Sequence, residues 1–219
     1  GYYDDHETSG LMDIFRIPKF SYYFFKSQQP QSEEYVLQIA SYWNQNSDTE
    51  ITVFSNTDEV ALYLNDSLIA RKTPEKTNQT KYLKHPPYTF KLNAFEAGTL
   101  KAVGYNKDKI VISNTVTTPG IASKINCKID VSGLAPQPGS NDTIFLYAYI
   151  TDKDGNLVPD YDELVNFNCI GDVSILNTEP IYAEAGIATA LIKIGQENKP
   201  VAITASSKAM KHQITFTPQ

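Results

Sequence analysis

Cysteine is nearly absent from this chain of 219 residues, and the two present, Cys127 and Cys169, exclude a disulfide framework and any four-thiolate metal centre. Histidine is as scarce: His6, His85 and His212 stand far apart, none at metal-ligand spacing from another, and they read as scattered surface residues. Positive charge is in deficit, with 19 Lys and Arg against 25 Asp and Glu. No basic stripe forms, which excludes nucleic acid as a partner because a groove for phosphates needs clustered cations. Long apolar runs are also missing: nothing approaches the roughly 18 residues that span a bilayer, so membrane insertion is excluded. No signal peptide opens the chain, which reads as a piece of a longer protein. Neither a Gly-x-Ser-x-Gly elbow nor a Cys–His pairing nor a phosphate-cradling glycine loop occurs, leaving nucleophilic catalysis without a candidate.

What is present is enough apolar sequence for real cores, 41% of the residues. Beyond residue 30 the apolar pattern has period two, with turn residues every eight to twelve positions, the spacing of a β-sandwich. VLQIASYW, ITVFSN, VALYLN, SLIARK, YTFKL, TLKAVGY and IVISNTVTT form one set of seven short strands, with Asn65-Asp66 as a hairpin turn and 72–87 as a long surface loop. Pro119-Gly120 marks a seam. KINCKIDV, TIFLYAYITD, LVNFNC, DVSIL, GIATALIKI, PVAITAS and HQITFTP then form a second set. The expected fold is all-β: two tandem immunoglobulin-like sandwiches over 31–119 and 120–219, without residue-level repetition between them. Cys127 and Cys169 alternate in phase with apolar neighbours and are expected to point inward, as buried free thiols in preference to the alternative of a bridge between them.

Before residue 30 the pattern differs. RIPKFSYYFFKSQ carries the aromatic run Tyr22-Tyr23-Phe24-Phe25, with Pro18 suited to a first helical turn. Ser21 and Lys26 interrupt the run and remove a membrane-anchor reading. A helix apolar nearly all round is normally buried on several sides.

Few groupings could carry chemistry. Asp152-Lys153-Asp154-Gly155-Asn156 has the alternating oxygens that open a calcium loop, but Pro159 intervenes before Glu163, where the twelfth-position ligand would stand, and Asp-Gly-Asn favours a tight turn. No metal and no cofactor are expected. Asp4, Asp5, Glu7 and Asp13 form a solvated or helix-entry cluster rather than a cleft, and Asp13 can pair locally with Arg16. Tyr63, Tyr88, Tyr105, Tyr147 and Tyr149 alternate along strands as core or half-core residues do. Trp43, the single tryptophan, placed at a strand end, is the residue to test for stacking on a sugar ring.

SGLMDIFRIPKFSYYFFKSQ, residues 9–28, resembles the segment that closes the catalytic barrel in glycoside hydrolase family 2, the β-galactosidase and β-glucuronidase group. Gly10, Asp13, Arg16, Pro18, Lys19, Tyr22, Tyr23 and Ser27 fall in register with that family's pattern. WNQNSDTEITVFSNTDEVALYLNDSLIA, EAGTLKAVGY and VTTPGIASKI resemble the family's first accessory sandwich and its exit. DTIFLYAYITDKDGNLVPDYDELVNFNCIGDVSIL is similar to the next, invasin-like module.

The resemblance implies that residues 1–30 are the end of a (β/α)8 barrel with its last helix, and that the two sandwiches are non-catalytic domains with a structural role around that barrel or in dimerisation. It places the family's catalytic carboxylates upstream, so the chain alone is expected to be inactive. A module holding polysaccharide near the active site, with Trp43 as platform, is the alternative. The implied partners are the barrel of the same parent, a glycan and a second copy, and the implied location is the periplasm or surface of a Gram-negative bacterium.

Overall fold

The computed structural model describes residues 10–177 and 180–219 and contains one short helix and fourteen strands among them. The chain divides into two units, the first ending at Thr118 and the second running Pro119–Gln219.

The first unit opens with α1 (Phe20–Lys26), followed by β1 (Leu37–Ile39), β2 (Glu50–Ser55), β3 (Glu59–Leu64), β4 (Ser67–Lys72), β5 (Tyr88–Lys91), β6 (Thr99–Asn106) and β7 (Lys109–Thr117). These make two antiparallel sheets, ordered β1-β2-β5 and β4-β3-β6-β7. Alternation explains the sandwich. Ile39, Ile51, Val53, Tyr88 and Phe90 from the three-stranded sheet meet Val60, Leu62, Leu64, Leu100 and Ala102 from the four-stranded one in one core. Each such aliphatic or aromatic side chain contributes about 1.5–3 kcal/mol by leaving water. Two hairpins close on consecutive left-handed residues, Asn65-Asp66 (φ 49° and 63°) and Lys107-Asp108 (φ 48° and 63°), the geometry that matches the twist of paired strands.

The second unit contains β8 (Lys124–Asp130), β9 (Thr143–Thr151), β10 (Asn166–Ile170), β11 (Val173–Ile175), β12 (Ile187–Ile194), β13 (Val201–Ser207) and β14 (Met210–Phe216). Its sheets run β10-β13-β14 and β11-β12-β9-β8. β13 alternates strictly between buried and half-buried residues. Ile144, Leu146, Ala190, Ile192 and Ile194 pack with Ile203 in one core cluster, and Ile125, Ala148, Ile150 and Ala188 pack with Ala205 in another. Both cysteines are free and half-buried; Cys127 touches both clusters and Cys169 the first of them. Burial pushes the Cys127 thiol up to about 11 and raises Cys169 as well.

All fourteen expected strands form, with three corrections to the local reading. The first strand ends at Ile39, with one further bond from the Ala40 N–H to the Thr52 carbonyl, rather than reaching Trp43, which turns into the left-handed region (φ 46°) before a bend across which Asn44 and Ser47 bond each other. Pro18 lies before the helix, not in its first turn: Lys19 is the N-cap, and Pro18 bridges back to Met12. His85 and His212 are half-buried instead of lying on the surface, and His212 Nδ1 accepts the Cys127 N–H at 3.1 Å. His6, Asp4, Asp5 and Glu7 lie outside the described residues.

Candidate functional site

Residues 10–36 are where local chemistry departs most from that of an ordinary sandwich. Asp13 shapes their start. Its Oδ1 accepts the N–H of Phe15 at 2.9 Å and of Ile17 at 2.7 Å, while Arg16 takes a left-handed turn (φ 64°) with its N–H on the Asp13 carbonyl. Lys19 N–H then closes on the Leu11 carbonyl, and α1 begins. The helix has seven residues and no N-terminal side-chain cap; Ser27 Oγ closes its far end on the Phe24 carbonyl at 2.7 Å. Such a short helix does not hold by itself in water, so packing must hold it.

Every residue of α1 except Phe25 is half-buried. Phe24 meets Phe54 of β2 with ring centroids 5.6 Å apart, and Phe20 meets Tyr42 at 5.1 Å. Lys26 pairs with Glu34 at 2.9 Å. Gln28 donates to the His85 carbonyl at 2.8 Å and accepts the His85 N–H at 3.1 Å. Buried Asn56 accepts the Val36 N–H at 2.8 Å and donates to the carbonyls of Glu34 and Gln29, while Ser55 Oγ donates to the Val36 carbonyl. Leu11 and Met12 (39% exposed each), Phe25 (56%) and Ile14 (59%) remain in water. No residue of α1 is fully buried.

Trp43 does not offer a sugar platform. It is 0% exposed, and its ring lies against Phe95 with centroids 4.9 Å apart. No face of the indole is open, which corrects the stacking expectation. Tyr88 is likewise a core residue; its hydroxyl donates to the Thr57 carbonyl at 2.7 Å, and burial raises it well above the usual phenol range. Tyr63 and Tyr105 are half-buried, and the Arg71 guanidinium lies 4.0 Å above the Tyr105 ring, held by Glu59 and by Asp108 at 2.8 Å. Those two carboxylates come together around a cation rather than across an open cleft.

The Asp152-Gly155 stretch is a turn. Asp152 Oδ1 accepts the N–H groups of Asp154 and Asn156, each at 2.9 Å, and Oδ2 accepts the Gly120 N–H at 2.8 Å and the Asn156 amide at 3.0 Å. Four donors leave this carboxylate no role as a ligand, and they hold it far below its ordinary titration range. Among the described residues no group of three or more His, Cys, Asp and Glu could hold a metal ion, and no helix is long and apolar enough to cross a membrane.

Residues 46–112 match a family described as a domain of unknown function, DUF4982. A β-galactosidase from Thermoanaerobacter pseudethanolicus is 27% identical over 90% of this chain and 28% of its own length. Another from Bacteroides ovatus, BoGH2A, is 27% identical over 94% of this chain and 25% of its own. The chain thus spans about a quarter of the length of the curated relatives it matches. A solved β-glucuronidase from glycoside hydrolase family 2 superposes with TM-score 0.81 at 23% identity, over 96% of this chain and 23% of that one. A family 2 member from Bacteroides cellulosilyticus gives 0.80 at 20% identity, over 96% and 32%. The relatives named as β-galactosidases and the structural neighbours from glycoside hydrolase family 2 are each matched over about a third of their own length or less, and the structural neighbours share the fold of this chain.

Proposed function

We propose that this chain is a non-catalytic accessory portion of a β-galactosidase-type glycoside hydrolase, whose sandwiches brace a catalytic barrel supplied by the rest of the parent protein. The observation that carries the reading is the number of large apolar side chains that residues 10–26 leave exposed beside the ones they pack. Phe20 and Phe24 face the first sandwich, while Leu11, Met12, Ile14 and Phe25 stay in water. An apolar patch of this kind on a folded protein marks a place where another protein surface sits. In this reading the occupant is the barrel.

The parent would cleave its glycoside with two carboxyl groups of that barrel, one an acid and the other a nucleophile. The present residues support that barrel and take no part in the reaction. A homodimer built through the sandwiches fits the same bracing role, and a periplasmic or surface location in a Gram-negative bacterium belongs to the same proposal. The glycan-holding alternative loses its platform with Trp43 sealed.

The test uses the chain and its full-length parent together. The purified chain should release no nitrophenol above buffer from nitrophenyl β-galactoside or β-glucuronide. The parent carrying Ile14→Asp with Phe25→Asp should melt lower and lose activity. Turnover by the isolated chain, or a double variant indistinguishable from the unmodified parent, overturns the proposal.

A further inference from the structure

His85 stands where the aromatic helix is tied to the first sandwich. Gln28, just past the end of α1, brackets the His85 backbone through both groups of its amide, at 2.8 and 3.1 Å. The side chain of the same histidine is half-buried, and its Nε2 is enclosed without a hydrogen-bond partner. A neutral ring tolerates this by leaving Nε2 as an idle acceptor. A protonated ring does not: Nε2 becomes a charged donor with nothing to receive it, and burying such a group is costly.

Two charged groups act on the ring from the elements around it. Lys84, beside it in the chain, opposes protonation, and Asp58, from the connection between β2 and β3, favours it. Asp58 is already committed, with Oδ1 on Gln31 Nε2 at 3.0 Å and Oδ2 on the Lys107 N–H at 3.2 Å. On the helix side Lys26 is paired with Glu34. Burial and Lys84 together outweigh Asp58 and hold the imidazole below its ordinary value of 6.5.

We propose that His85 makes the anchorage of α1 acid-sensitive: taking a proton onto the enclosed ring displaces the 84–87 turn, breaks both bonds to Gln28 and releases the helix from Phe54 and Tyr42. The sign follows from linkage. The docked state takes the proton less readily than an ordinary histidine, whereas the released state accepts it with an ordinary affinity. Docking is therefore complete above the ordinary histidine value and weakens as the pH falls below it.

Hydrogen exchange of the 219-residue chain, corrected for intrinsic rates, tests this. Between pH 7 and pH 5 the N–H groups of Ser27, Gln28 and Gln29 should exchange faster by up to about tenfold per pH unit below the ordinary value, as one linked proton requires. Amides of β2, β3 and β6 should hold their protection. His85→Gln should remove the pH dependence, and Gln28→Ala should give fast helix exchange already at pH 7. In the wild-type chain, the His85 imidazole shift followed by NMR should change with the same midpoint as the Phe24 amide. Helix amides equally protected at both pH values, a pH dependence surviving in His85→Gln, or a His85 titration that leaves Phe24 unmoved would each overturn the proposal.

Discussion

Trp43 and Phe95 pack ring against ring, centroids 4.9 Å apart and planes at 52°, with the indole wholly shut off from solvent. The pair joins the bend after β1 to the connection between β5 and β6, so the tryptophan belongs to the core of the first sandwich. Trp43→Ala should cost about 3–5 kcal/mol, as emptying a large aromatic site generally does. A domain commonly has only about 5–15 kcal/mol in hand. Urea unfolding followed by far-ultraviolet circular dichroism should show that loss in the variant, and in the unmodified chain the fluorescence of Trp43, the only tryptophan, reports the first unit alone. Galactan, xylan and pectic oligosaccharides should leave that fluorescence unchanged, and saturable quenching by any of them would contradict the buried placement.

Asn56 carries a second prediction. Its single side chain serves the Val36 N–H and the carbonyls of Glu34 and Gln29, tying the segment after the helix to the end of β2. In Asn56→Ala the buried Val36 N–H loses its partner, a loss of about 1–3 kcal/mol, while the carbonyls of the exposed residues Gln29 and Glu34 turn to water. Thermal denaturation should show the melting temperature of the first unit falling while that of the second unit holds.

Asp152 predicts a pH dependence in the second unit. Its donors keep the carboxyl well below the usual range, with the Gly120 N–H the largest cause and the Asn156 amide next. A depressed carboxylate contributes stability above its ordinary value, and that contribution drains away as the pH falls below it. Melting followed by far-ultraviolet circular dichroism from pH 6 to pH 3 should therefore show a decline that Asp152→Asn flattens. At pH 7 the variant should melt several degrees lower, since an amide NH2 would face donors where Oδ2 now accepts.

One substitution should stabilise. Ala185 holds φ 48° in the two-residue turn with Gly186, and Glu184 and Ile187 exchange both backbone hydrogen bonds across it. Left-handed backbone costs an alanine about 1–2 kcal/mol, which asparagine largely avoids. Ala185→Asn should gain up to about 1 kcal/mol in denaturant unfolding of the second unit. By contrast Gly186→Ala should destabilise, because its new methyl would meet the Val158 carbonyl at φ 78°.

The strands were legible because burial on alternate faces writes itself into the sequence at period two. EVALYL and PVAITAS show this directly: Val60, Leu62, Leu64 and Val201, Ile203, Ala205 all face the cores. Asn65-Asp66 was legible because few residue types tolerate two left-handed positions in succession. What did not show was anything decided by residues distant in sequence. Trp43 looked like a strand-end residue because the Asn44–Ser47 bend has no periodicity, and Phe95, which shields it, lies 52 positions away. Asp152 looked like a local turn former, and its bond to Gly120, 32 positions earlier, has no sequence signal. The Ser55-Asn56 pair read as the end of the strand ITVFSN and as part of a family pattern, whereas its physical role is to satisfy the backbone of residues 29–36.

The aromatic run supplies the last prediction. Deleting residues 1–30 removes Leu11, Met12, Ile14 and Phe25 from the surface. The same cut uncovers Phe54 and Tyr42 and breaks the Gln28 bonds to His85. The two effects act on different quantities. Solubility follows exposed apolar area, and the deletion takes away more such side chains than it uncovers, so the truncated chain should stay in solution at least as well and bind less hydrophobic dye. Stability follows the ring packing and hydrogen bonds that α1 supplied, so the first unit without them should melt several degrees lower. A truncation that aggregates while the whole chain does not would mean that α1 shields the sandwich more than it burdens it. The proposed contact of Ile14 and Phe25 with a barrel is tested separately, by the full-length double variant.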